Sequence, residues 1–283
     1  MSKVMQRLLT FIIAIPICVA LVWFGKWQNH LLLNIVVIAA AVIAANEMQV
    51  LFKQNLSVQP KPFVLFLSFF VSATATLCTT FNYTMEYATF AFVFALSFIL
   101  IFEIFSKKAG DEQFSDSLTR IVTSTFTILY SSFFFTFIQR MTVWQYSREI
   151  IIVFLLMVFM CDSAAWLFGV TMGKNNRGLI KVSPNKSVMG FIGGFAGSIV
   201  IGIIAHYVFP VFDSVPKVIL LGVITAFAAI LGDLAESVMK RSARIKDSGN
   251  IIPGRGGILD SIDSIVFAAP VFYIAIQFLF NLS

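Results

Sequence analysis

Nine apolar runs, at about 8–24, 31–52, 62–80, 87–105, 121–139, 149–171, 191–209, 215–235 and 264–281, dominate the 283-residue chain. Each approaches the roughly 20 residues that an α-helix needs to cross a hydrocarbon core, and so many together leave few architectures open. Charged residues are 12% of the chain and Phe alone supplies 32 positions, whereas a soluble domain carries roughly 25% charge. The expectation is an all-α, polytopic integral membrane protein of about nine transmembrane helices. Lys3 and Arg7 before the first run suit a signal peptide as well as a helix. No small-residue cleavage site follows that run and further spans do, so it reads as a retained helix.

The basic residues give an orientation. Four of the 20 Lys and Arg (Lys26, Arg140, Arg148, Lys217) fall in alternate gaps, and the other 16 fall on the side that includes the N-terminus. The positive-inside rule makes that side cytoplasmic. The net charge of +6 thus expresses topology and attraction to anionic headgroups, and no nucleic-acid-binding module is visible. Cys18, Cys78 and Cys161 lie in apolar runs, have no metal-ligand spacing and read as packing residues. Trp23, Trp27 and Trp144 read as interfacial belt residues. His30 and His206 fall near the outer interface and carry no assigned role.

Polarity divides the chain. Residues 1–140 have short loops and read as a scaffold of transmembrane helices, a region for lipid access or dimer contact. Residues 141–283 hold polar loops at 172–190 and 236–263, and carboxylates within or beside the spans; the chemistry is expected there. In GDLAESVMKR (232–241), Asp233, Glu236 and Lys240 share a helix face. Glu236 and Lys240 also stand in the order of a simple ion pair, but a carboxylate at bilayer depth costs about 2.5–3.5 kcal/mol and is usually functional. Asp162 lies mid-span and is expected to face a polar cavity. Glu47 and Glu103, near cytoplasmic span ends, could snorkel or line the same cavity, and read as mostly structural.

KDSGNIIPGRGGILDSID (246–263) gathers glycines and charges at the start of the last span. Gly254, Gly256 and Gly257 permit tight backbone, and such a loop can turn N–H groups to a phosphate. Asp260 and Asp263 suit helix capping as well as chemistry. Asp233, Asp260 and Asp263 meet at the ends of two spans, with Lys240, Arg241, Lys246, Asp247 and Arg255 between them. Carboxylates that can hold Mg²⁺ beside cations that can hold a polyphosphate are the equipment of displacement at phosphorus. In KVSPNKSVMGFIGG (181–194), Lys181, Ser183 and Lys186 are further phosphate-ligand candidates, with Lys181 equally suited to an ordinary positive-inside loop.

The run SVMKRSARIKDSGNIIPGRGGILDSID (237–263), with CDSAAWLFG and SPNKSVMG, resembles the motif of the phosphatidate cytidylyltransferases (CDP-diacylglycerol synthases). Ser237, Lys240, Arg241, Lys246, Asp247, Gly249, Pro253, Gly256, Gly257, Asp260 and Asp263 match at the motif's spacing, and the likeness covers roughly 155–270. The resemblance implies transfer of a cytidylyl group from CTP to phosphatidic acid in a bacterial cytoplasmic (inner) membrane, with the active site facing the cytoplasm. It implies Asp233, Asp260 and Asp263 as ligands of Mg²⁺, with a second cation as a further option. Lys186, Lys240, Arg241 and Lys246 would hold the triphosphate, Asp247 would orient the basic cluster, and the protein would be a homodimer. Asp162, Ser183, Ser237, Gly254, Arg255, Gly256 and Gly257 complete the candidate substrate-binding set. Three positions depart from the motif: Arg255 stands for His, Ser261 for Arg and Met189 for Glu. Four alternatives stay open: action on another lipid phosphate, a CTP-dependent lipid-alcohol kinase, a transporter, and a catalytically dead paralogue acting as a binding partner.

Overall fold

The computed structural model describes residues 3–105, 114–252 and 256–282, with backbone alone for residues 3–12 and 14. The elements in order are α1 (Lys3–Phe24), α2 (Leu31–Phe52), α3 (Lys61–Phe81), α4 (Glu86–Ile104), α5 (Ser117–Ile128), a π-helical turn (Leu129–Phe133), α6 (Thr136–Met141), α7 (Ser147–Thr171), α8 (Val188–Val208), α9 (Val215–Ser242) and α10 (Leu259–Phe280). Backbone amides next to hydrocarbon must be satisfied within their own segment, and helices do this. Among the described residues eight helical segments are long and apolar enough to cross a membrane, with α5, the π turn and α6 forming one of them. The remaining expected span is α1, helical over its 22 residues, with Ile15–Phe24 as its described apolar stretch. The molecule is a multi-pass membrane protein. Its outer surface agrees, since Phe66, Phe90, Phe94 and Phe98 on α3 and α4 are each at least half exposed, a display that water would not tolerate.

Two boundaries differ from expectation. Residues 236–242, expected in a polar loop, are the last turns of α9, and α10 begins at Leu259 rather than near 264. Both helices run on because their polar side chains find partners inside the bundle instead of water. The connecting loop is therefore 243–258.

Packing is closest among α7, α8, α9 and α10. Small residues permit it: a Cβ on Gly197 would come within 2.6 Å of the Met160 carbonyl oxygen on α7, and one on Gly232 within 2.6 Å of the Asp263 carbonyl oxygen on α10. Polar contacts tie the N-terminal helices together. Asn34 on α2 donates to Thr79 Oγ1 at 2.9 Å, and Gln139 on α6 donates to Thr76 Oγ1 on α3 at 2.7 Å. Arg120 and Glu103 form a buried pair at 2.7 Å, so Glu103 holds α4 to α5 and does not line the site. Trp23 and Trp27 are exposed as belt residues would be. Trp144 is not: it is 8% exposed and stacks on Tyr273 at 4.7 Å, because a ring partner inside the bundle buries the indole more fully than the interface would.

His30, between α1 and α2, is fully buried and lies 3.0 Å from Ser147 Oγ. Burial first, then the positive charges of Arg148 and Lys26, lowers its pKa from 6.5 to about 4. An unfolded chain takes up this proton near pH 6.5 and the folded one does not, so the stability that neutral His30 contributes is complete above pH 6.5 and falls away as the pH drops toward about 4. Thermal midpoints of detergent-solubilised protein are expected to fall over that window, and His30→Gln is expected to flatten the fall; parallel curves for the two proteins would refute the assignment.

Candidate active site

A cavity of about 840 Å³ lies among α7, the loop before α8, α9 and α10, within the roughly 300–1,000 Å³ of small-molecule sites. Helical spacing builds one wall. Asp233, Glu236, Ser237 and Lys240 fall on a single face of α9, and all four line the cavity with Arg241 one position on. Asp260, Asp263 and Ser264 on the first turns of α10 form the wall beside them, and Asp162 and Cys161 on α7 close it from behind. Ser183, Lys186 and Arg177 reach in from the loop before α8, and Lys246 and Asp247 from the loop after α9. On α7, Trp166, Leu167 and Val170 also line the space while remaining 45–51% exposed. The cavity therefore opens sideways along a membrane-spanning helix.

Two of the cavity's cations, Lys240 and Lys186, are held by direct pairing with carboxylates. Lys240 is the hub, with its Nζ 2.5 Å from Glu236 Oε2 and 2.6 Å from Asp260 Oδ1. Lys186 Nζ stands 2.5 Å from Asp233 Oδ2, joining the α8 loop to α9, and Ser237 Oγ donates to Asp233 Oδ1 at 3.5 Å. The other oxygen of Asp260 accepts from Ser248 N at 2.8 Å and Gly257 N at 2.7 Å, with the Ser248 Oγ atom 3.0 Å away. Asp263 is buried and accepts from Ser264 N at 2.6 Å, while Ser264 Oγ reaches Asp162 at 3.5 Å. Behind this wall, the Tyr130 hydroxyl donates toward the Gly232 and Asp263 carbonyl oxygens at 3.5 and 3.4 Å. Arg177, Arg241 and Lys246 line the cavity without an ion pair among the described residues.

The donors suit a hard cation, since they are carboxylate oxygens. The Glu236 side chain, 1% exposed, meets Lys240 through Oε2. Asp233, Asp260 and Asp263 share the cavity, yet among the described residues no three such side chains form a ready ligand group. Lys186 and Lys240 stand against two of the three instead.

The structure thus brings together Asp162, Ser183, Lys186, Asp233, Ser237, Lys240, Arg241, Lys246, Asp247, Asp260 and Asp263. Gly254 and Arg255, with Pro253, lie outside the described residues. Lys181, Gly256 and Gly257 do not line the cavity. The Gly256 N–H bonds to the Ile252 carbonyl at 3.0 Å and that of Gly257 to Asp260, so these amides are spent within the turn instead of facing a phosphate. Gly256 is needed for a different reason, a φ of 111° and a Cβ position that Asp260 already fills. Cys161, read as packing, also forms part of the cavity wall. Arg177 and Glu47 were not among the expected site residues. Glu47 is the only charge in the run 31–52, which is the mark that distinguished it; Arg177 sat unremarked in a basic loop.

The sequence profile of the cytidylyltransferase family matches residues 5–279. Relatives named phosphatidate cytidylyltransferase include one from a Synechocystis species, 42% identical over 41% of this chain and 39% of the relative. Another, from Bacillus subtilis, is 40% identical over 50% of this chain and 52% of the relative. One from Staphylococcus aureus is 44% identical over 41% of this chain and 44% of the relative. The matched stretches thus span about half of those proteins or less.

Lys240→Met would leave Glu236 and Asp260 buried without their cation, and a loss of about 3–5 kcal/mol is expected. Unfolding in detergent followed by near-ultraviolet circular dichroism measures it. The double variant Lys240→Met/Glu236→Gln is expected to recover part of the loss, and a single variant as stable as wild type would show that the pairing is not structural.

Proposed function

The chain belongs to the cytidylyltransferase family, and from that premise we propose that it transfers a cytidylyl group from CTP to phosphatidic acid, releasing pyrophosphate and forming CDP-diacylglycerol. The observation that carries this reading is the cavity itself: five cations and six carboxylates surround one space whose rim on α7 is apolar and faces the bilayer. Such a space can take a water-soluble triphosphate and a lipid headgroup together. The name shared by the relatives supports the same substrates.

In the proposed reaction a phosphate oxygen of the lipid attacks the α-phosphorus of CTP. One P–O bond forms there while the bond to the β-phosphate oxygen breaks, and pyrophosphate carries the electron pair away. Lys186, Lys240, Arg241 and Lys246 hold the triphosphate, and Arg177 adds a cation at the mouth. Charge from these side chains, fixed before the reaction, favours a transition state in which negative charge spreads toward the leaving group. Ser183 and Ser237 donate to phosphate oxygens, Asp162 forms part of the polar inner wall, and Asp247 orients the neighbouring basic residues. Asp233, Asp260 and Asp263 would hold Mg²⁺, with Glu236 as a further oxygen donor, and the ion would offset charge on the phosphate oxygens when bound. The cavity faces the cytoplasm of a bacterial inner membrane in this reading, and the protein works as a homodimer.

CTP labelled at the γ-phosphate, supplied with phosphatidic acid and Mg²⁺ to purified protein in detergent, is expected to yield labelled pyrophosphate and unlabelled lipid. Asp233→Asn is expected to lower the rate by about a hundredfold or more, and chelation of the metal to stop it. Label in the lipid would make the protein a kinase and overturn the reading.

A further inference from the structure

Glu47 is on α2, in the half of the chain expected to be scaffold, and is 3% exposed. Its carboxylate is not in the cavity wall. It faces the 243–258 loop instead, and three donors from that side converge on it. Ile258 N donates to Oε1 at 2.9 Å, Leu259 N to Oε2 at 2.8 Å and Ser248 Oγ to Oε2 at 2.9 Å. The two amides open α10, whose own N-cap residue, Ile258, offers no side-chain acceptor. A carboxylate from another helix therefore does the capping, in the place where the helix dipole favours negative charge.

The glycines around it agree with this arrangement. A Cβ on Gly249 would come within 2.7 Å of Glu47 Oε1, and one on Gly257 would overlap the Glu47 carboxylate and the Ser248 hydroxyl. The loop is shaped to admit this side chain. Ser248 then passes the constraint on: its Oγ is 2.9 Å from Glu47 Oε2 and 3.0 Å from Asp260 Oδ2, and its N–H donates to Asp260 as well. Asp260 in turn meets Lys240 in the cavity.

We propose that Glu47 is a positioning residue for the cavity, setting the start of α10 and, through Ser248, the Asp260 carboxylate that faces Lys240. The effect on turnover rests on the cytidylyl-transfer reading above; the hold on the loop does not. Removing Glu47 frees two helix-opening amides and lets Asp260 and Lys240 drift, while the walls supplied by α7 and α8 stay in place.

The test compares wild type, Glu47→Gln and Glu47→Ala as full-length protein in detergent, by hydrogen exchange and by turnover with CTP and phosphatidic acid. In Glu47→Ala, amides of the peptide spanning 246–262 are expected to exchange at least about tenfold faster, with α7 and α8 unchanged. The kcat is expected to fall about 10- to 100-fold, as when a partner that orients a first ligand is lost, while KM for the lipid changes less than about threefold. Glu47→Gln keeps the Oε1 acceptor and is expected to fall between the two. The proposal is overturned if Glu47→Ala keeps wild-type kcat, if exchange in 246–262 is unchanged, or if exchange rises equally in α7 and α8, which would mean general loosening. Wild-type protein that forms no CDP-diacylglycerol would sink the functional reading, and the exchange comparison would still decide whether Glu47 holds the loop.

Discussion

Lys240 between Glu236 and Asp260 is the contact on which the rest of the site depends. All three sit at the end of a bundle whose outer face meets hydrocarbon, where an unpaired charge would be expelled or neutralised. One ammonium group binding a carboxylate on its own helix and another on the next fixes the relative position of α9 and α10. Gly232 lets the two backbones approach closely enough for that contact. A chain without the lysine could not keep two carboxylates so near each other, and one without the carboxylates could not keep the lysine buried. The pairings also tie Lys186 and Lys240 to carboxylates of the same cavity.

The division of the chain into a plain first half and a chemical second half needs qualification in physical terms. The cavity walls do come from α7 onward, but the back of the site leans on the first half at two points. Tyr130, in the π-helical turn, touches the α9–α10 contact from behind, and Glu47 receives the opening amides of α10. The ring of Tyr130 stacks on Phe126 with centroids 5.9 Å apart, and its hydroxyl reaches the Gly232 carbonyl.

Much of this was legible in the residues. The spans are readable because bilayer thickness imposes a length, and the α9 wall because a period of 3.6 places 233, 236, 237 and 240 on one face. The partner of Glu47 was not, since its contacts lie 201 to 212 positions away along the chain and no local pattern encodes them. The direction of the amides at 256 and 257 was also hidden; glycine reports that a tight turn is required without saying what it faces. Trp144 misled for a related reason. An indole near a span end suits the interface equally well until a ring such as Tyr273 is found beside it.

The sideways opening along Trp166, Leu167 and Val170 has a kinetic corollary. A reactant that enters through a wall set in the bilayer is counted by its mole fraction among neighbouring lipids, not by its amount per litre. Diluting the membrane with inert lipid would then slow encounter even with total material constant, whereas the aqueous partner would obey ordinary bulk kinetics. Under the proposed reaction two dimensions would supply one reactant and three the other, and the α7 rim would be where the two supplies meet.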